Sequence, residues 1–120
     1  MGVCILKNIS LFVKYLLTRE IFCRLYKNRM IKSFADKETE NLFCERRCRI
    51  DSKIQQRAMY KLAMLDSCID IQLFKIPPSN QLEKLKGYPN RWSVRINQQW
   101  RLTFDWNEPD AYNVKVEDYH

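Results

Sequence analysis

The chain has 120 residues, 46% of them hydrophobic and 29% charged, which fits one soluble globular domain with a modest core rather than a disordered chain or two independent cores. Its two glycines exclude Gly-rich phosphate loops and collagen-like repeats. Lys and Arg outnumber Asp and Glu by 21 to 14, a net charge of +7, which points to a polyanionic partner without specifying one.

Residues 1–29 carry six of the basic side chains (Lys7, Lys14, Arg19, Arg24, Lys27, Arg29) against the single acid Glu20. Lys7 and Lys14 interrupt the apolar run well short of the ~20 residues a membrane span needs. The segment also lacks the uninterrupted core and Ala-x-Ala-like site of a signal peptide, so no stable membrane insertion is expected. Two readings remain: a basic amphipathic helix lying on a membrane or against the domain, or an extension upstream of a true start at Met30. Residues 30–120 hold 15 basic and 13 acidic groups, so most of the excess charge belongs to the first quarter of the chain.

In Met30–Phe34 the sequence MIKSF reads as a short edge strand. Ala35–Glu45 reads as a helix, with Asp36 as N-cap, Glu38 and Glu40 near its positive end, and Leu42 and Phe43 toward the core. Arg46, Arg47 and Arg49 form a basic connection. Asp51 or Ser52 then caps a second helix, in which Ile54, Ala58, Leu62, Leu65 and Ile69 recur at helical spacing. Pro77 and Pro78 stop any helical continuation, and Ser79–Gly87 reads as a loop.

The period then changes to two. Trp92, Val94 and Ile96 alternate with polar residues in Arg91–Asn97, and so do Trp100, Leu102, Phe104 and Trp106 in Trp100–Trp106. Tyr112, Val114 and Val116 do the same in Tyr112–Tyr119, with hairpin-length gaps at Gln98–Gln99 and Asn107–Ala111. The expectation is an α+β domain: two N-terminal helices packed on a three- to four-stranded antiparallel sheet, with Met30–Phe34 as the possible fourth strand. If the tryptophan face is core, the open face carries Arg95, Arg101, Lys115 and Tyr119 with Thr103, Asp105 and Glu117. Such a face can clamp phosphate through guanidinium donors, or it can be an ordinary solvated face laced with ion pairs.

The five cysteines (Cys4, Cys23, Cys44, Cys48, Cys68) are odd in number and contain no Cys-x-x-Cys, and His120 is the one histidine. That argues against zinc fingers and His-Glu-x-x-His sites and for free thiols in a reducing cytoplasm, although Cys44 and Cys48 lie one helical turn apart and can meet each other or a metal.

Several motifs occur together in order: MIKSF at Met30, KLAMLD (Lys61–Asp66), PPSNQLEKLKG (Pro77–Gly87), WSVRINQQWRLTFDW (Trp92–Trp106) and the terminal VEDYH (Val116–His120). Through them residues 30–120 resemble the HigB toxins of bacterial toxin–antitoxin pairs, within the RelE/ParE superfamily. The resemblance implies a RelE-like fold and metal-independent, cofactor-free cleavage of mRNA in the ribosomal A site, in the cytoplasm. It also implies a HigA-type helix-turn-helix antitoxin, through which the toxin meets operator DNA indirectly. Because family members usually begin at the methionine of MIKSF, it favours Met30 as the start.

Carried over by motif, Arg101 in QWRL would stabilise charge on the phosphate, and Arg95 in VRIN would support it or hold a neighbouring phosphate, with Lys115 on the same face. His120 is the acid/base candidate, and Tyr119 would share that role or stack on a base. Asp118 would orient a neighbour, its parity pointing toward the core face unless the strand ends there. Lys86 matches a lysine that only some members carry. This sequence departs from the family at Glu83, where some members place a catalytic loop histidine. Two other functions fit the same fold: a non-catalytic relic acting only in an antitoxin–DNA repressor complex, and a ParE-like gyrase inhibitor. The terminal Asp-Tyr-His argues against the latter.

Overall fold

A helical apolar stripe and three runs of period two must bury their apolar sides against one another. In the computed structural model, which describes residues 30–68 and 70–118, they do so in one layer of helix over one layer of sheet. The helices are α1 (Lys37–Phe43) and α2 (Ser52–Asp66), followed by short 3₁₀ turns at Ile71–Lys75 and Pro78–Asn80. The sheet follows as β1 (Glu83–Lys84), β2 (Arg91–Arg95), β3 (Trp100–Asn107) and β4 (Asp110–Asp118), antiparallel and in spatial order β1-β2-β3-β4. The α+β architecture is therefore the expected one.

Both helix starts follow from short acidic side chains. Asp36 accepts the Thr39 N–H at 2.8 Å, and Asp51 accepts the Lys53 N–H at 3.0 Å. On α2, Ile54, Ala58, Leu62 and Leu65 are buried against Val94, Leu102, Phe104 and Val116 of the sheet. Each of the larger side chains contributes ~1.5–3 kcal/mol by leaving water. Two buried polar groups tie the layers together: Thr39 Oγ1 accepts the Val116 N–H at 2.9 Å, and Asp66 Oδ1 accepts the Ile31 N–H at 3.1 Å.

Several expectations need correction. Met30–Phe34 is not the fourth strand. It touches β4 through two isolated parallel bridges, Ile31 to Ala111 and Phe34 to Val114. The fourth strand is β1, inside the stretch read as a loop; its two residues are too few to display alternation. The β3–β4 connection is the pair Glu108–Pro109 rather than a five-residue loop. Tyr112 does not share the core face with Val114 and Val116. A register shift opposite Thr103–Asp105 and a left-handed Asn113 (φ +52°) pair Tyr112 with Asp105 and turn Ala111 inward. Cys44 is disulfide-bonded, against the expectation of a free thiol, whereas Cys48 and Cys68 are free. Residues 1–29, Ile69, Tyr119 and His120 lie outside the described residues. No helix among the described residues is long and apolar enough to cross a membrane.

Candidate active site

Cross-strand partners share a face, so the register fixes the polar face of the sheet as a grid. One row is Glu83, Ser93, Thr103 and Lys115; the next is Arg95, Arg101 and Glu117; a third is Arg91, Asp105 and Tyr112. Arg95, Arg101 and Lys115 thus lie on one face, as the alternation implies.

The face is not open, however. Ser93 and Thr103 are fully buried, and Arg101 is only 8% exposed. The cause is the segment leading into β1. After the 3₁₀ turn at Pro78–Asn80, Gln81 adopts a left-handed conformation (φ +45°), and its carbonyl accepts a hydrogen bond from Arg101 Nη2 at 2.8 Å. On the other side, Arg101 Nε donates to Ser93 Oγ at 2.6 Å. Two fixed acceptors from different strands and loops therefore orient the guanidinium and hold a positive charge where the local dielectric is low.

Arg95 stands directly opposite Arg101 across the β2–β3 ladder, its own Nε donating to the Asn97 carbonyl at 3.1 Å. Like charges so placed repel. An anion received between them would relieve that repulsion.

Glu117 faces Arg101 from β4 and accepts a hydrogen bond from the Thr103 hydroxyl. Arg91 completes the network: Nη1 donates to Asp105 Oδ1 at 3.1 Å, and Nη2 donates to Thr103 Oγ1 at 2.9 Å and to the Asn113 carbonyl at 3.2 Å. Arg91 Nη2 also lies 4.0 Å from Glu117 Oε2. The sequence reading missed Arg91, although counting back by two from Ser93 places it on this face. The clasp formed by Gln81 and Ser93 had no local signal, because Gln81 is twenty residues from Arg101 in sequence.

The remaining candidates separate. Asp118 ends β4, pairs with Trp100 on the opposite parity from Arg101, and accepts from Gln99 Nε2 at 2.9 Å. Lys86 is exposed in the turn between β1 and β2, near the Arg91 end of β2; the Arg95 end lies four residues away, roughly 13 Å along the strand. Lys115 is half-buried beside the Thr103 row. Tyr119 and His120 fall beyond the described residues, directly after Asp118 in sequence. Among the described residues, no three His, Cys, Asp or Glu side chains converge as a metal site requires.

Comparison with known proteins meets this geometry. Residues 32–120 match the family model described as the RelE-like toxin of the type II toxin-antitoxin system HigB, and the helix-on-sheet architecture is consistent with a RelE-like fold. The Toxin HigB-1 of Vibrio cholerae serotype O1 is 34% identical over 91 residues, covering 73% of this chain and 96% of that protein. The Endoribonuclease HigB of Proteus vulgaris is 32% identical over 98 residues, covering 76% of this chain and the whole of that protein.

Proposed function

The chain belongs to the HigB family of RelE-like toxins of type II toxin-antitoxin systems, and from that premise we propose that it is a metal-independent, ribosome-dependent mRNA endonuclease, acting in the cytoplasm and neutralised by a HigA-type helix-turn-helix antitoxin. The toxin domain in this reading is residues 30–120, and operator DNA is met only through the antitoxin. The ribonuclease activity named for the Proteus vulgaris relative supports the reading at family level. The observation in this chain that carries it is Arg101, clasped by Ser93 and Gln81 and set opposite Arg95.

In the proposed reaction a ribose 2′-oxygen attacks the adjacent phosphorus. The new P–O2′ bond forms as the P–O5′ bond breaks, leaving a cyclic phosphate upstream and a 5′-hydroxyl downstream. Arg101, preoriented by its two acceptors, stabilises the extra negative charge on the phosphate; removing one such donor typically costs about 10²–10³ in rate. Arg95 supports that charge or holds the neighbouring phosphate, and Lys115 adds positive potential on the same face. His120 and Tyr119 share removal of the 2′-proton and delivery of a proton to the 5′-oxygen, each acid–base group supplying ~10²–10⁴-fold. Asp118, anchored by Gln99, orients the tail that carries them. Lys86 is the weaker proton donor, reaching the phosphate only if the RNA draws its turn inward. With Glu83 at the place of the loop histidine, much of the substrate positioning falls to the ribosome.

The test is induction of the full chain in cells, with mapping of mRNA ends. Growth arrest with cuts inside translated messages is expected, and both should be lost in Arg101→Ala and His120→Gln. Full toxicity in those variants would reject the assigned mechanism. Intact messages with broken chromosomes would point to gyrase instead.

A further inference from the structure

A groove of about 650 Å³ opens between the exposed side of α2, the Pro78–Asn80 turn and the end of β2 with its following turn. It falls within the ~300–1,000 Å³ range of ligand sites. Its lining includes Arg57, Tyr60, Lys61, Asn80, Arg95 and Asn97, and no described carboxylate lines it. Three cations thus share one concavity without an acidic counterweight.

The groove is built rather than incidental. Asn80 is fully buried, its Nδ2 donating to the carbonyls of Phe74 at 3.1 Å and Ile76 at 3.3 Å, while its Oδ1 accepts from Lys61 Nζ. The Lys61 ammonium is therefore positioned against the wall. Burial, reinforced by the neighbouring Arg57, holds its pKa below the ordinary lysine value. Tyr60 stands 66% exposed beside them, although an aromatic ring on a solvated helix face gains nothing from water. Arg95 belongs both to this groove and to the pair with Arg101, so the groove begins one cross-strand step from Arg101, the Cβ atoms of such a pair lying about 5 Å apart.

We infer that Arg57, Lys61 and Arg95 form a subsite for backbone phosphates of single-stranded RNA flanking the scissile phosphate, with Tyr60 stacking on a base. The inference rests on the ribonuclease reading for where the scissile phosphate lies. Cations alone would equally suit an acidic protein segment, but an exposed aromatic ring among them is the combination that holds single strands without sequence preference.

The probe is a fluorescently labelled, 2′-O-methylated RNA oligonucleotide, bound to the purified full chain in a salt series. Each single-strand phosphate contact contributes about 0.7 to the slope of log affinity against log salt, so Arg57→Gln with Lys61→Gln should flatten the slope by about 1.4. Tyr60→Ala should weaken binding roughly 5- to 150-fold with the slope kept, and Tyr60→Phe should restore it. An unchanged slope in the double variant overturns the subsite, and so does a wild-type chain that does not bind the probe. Lost antitoxin binding with RNA binding intact overturns it in favour of an acidic protein segment. Failure of the ribonuclease reading looks different: the groove variants lose RNA affinity as expected, yet the induced wild-type chain leaves cellular messages uncut.

Discussion

Ser93→Ala separates a catalytic Arg101 from a merely structural one. The substitution deletes the hydroxyl that accepts Arg101 Nε at 2.6 Å, in a position with no solvent exposure to supply a replacement. Hydrogen bonds to charged groups contribute ~1.5–3 kcal/mol. The fold should therefore lose up to about that much, seen as a lower urea midpoint with unchanged denaturant slope. Gln81 remains as the second acceptor, so the guanidinium stays in place but is less tightly aimed. If its aim stabilises the transition state, a similar energy is lost there, and cleavage should fall about 10- to 100-fold. The assay is cleavage of a translated message on purified ribosomes, run well below the unfolding midpoint. Arg101→Lys is the companion, since a point-charge ammonium cannot span two acceptors as a planar guanidinium does; it should lose more activity than Ser93→Ala. Wild-type cleavage by Ser93→Ala, despite the drop in stability, would refute the reasoning.

Thr39→Val keeps the volume but removes the acceptor of the buried Val116 N–H, so it should cost ~1–3 kcal/mol in chemical denaturation. Asn113 sits at φ +52°, where a β-branched residue is strained; Asn113→Val should destabilise by at least ~1–2 kcal/mol, and Asn113→Gly should be milder. The Cys68 thiol has its pKa raised, chiefly by burial, which outweighs the opposing backbone hydrogen bond at Asp70, so native-state alkylation should label Cys48 before Cys68. A raised thiol pKa also has a sign in stability. The contribution is complete below the ordinary value of 9.0 and is lost as pH rises through the folded value, so wild type should lose stability faster than Cys68→Ala in the alkaline limb.

What the sequence revealed was local in origin. The α2 stripe, the Asp36 and Asp51 caps and the alternation of β2 and β3 each follow from neighbours a few residues apart. The same alternation put Arg95, Arg101 and Lys115 on one face. What it hid depends on distant chain segments or on single irregular residues. Glu83–Lys84 is too short to show a period, and one left-handed residue at Asn113 reversed the parity of Tyr112. The polar face reads as open because nothing near Arg101 in sequence announces that Gln81 will fold over it. The groove beside Tyr60 escaped for the same reason, being assembled from three segments that are separate along the chain.

The central claim is that a phosphate beside Arg101 is attacked by the neighbouring 2′-oxygen. The chemistry of the RNA ends tests it most directly. Fragments from ribosomes treated with the full chain should carry cyclic phosphates upstream and 5′-hydroxyls downstream, the latter accepting label from polynucleotide kinase without prior dephosphorylation, and Arg101→Ala should abolish them. Downstream fragments bearing 5′-phosphates would mean that water, not the ribose, is the nucleophile, and would contradict the account.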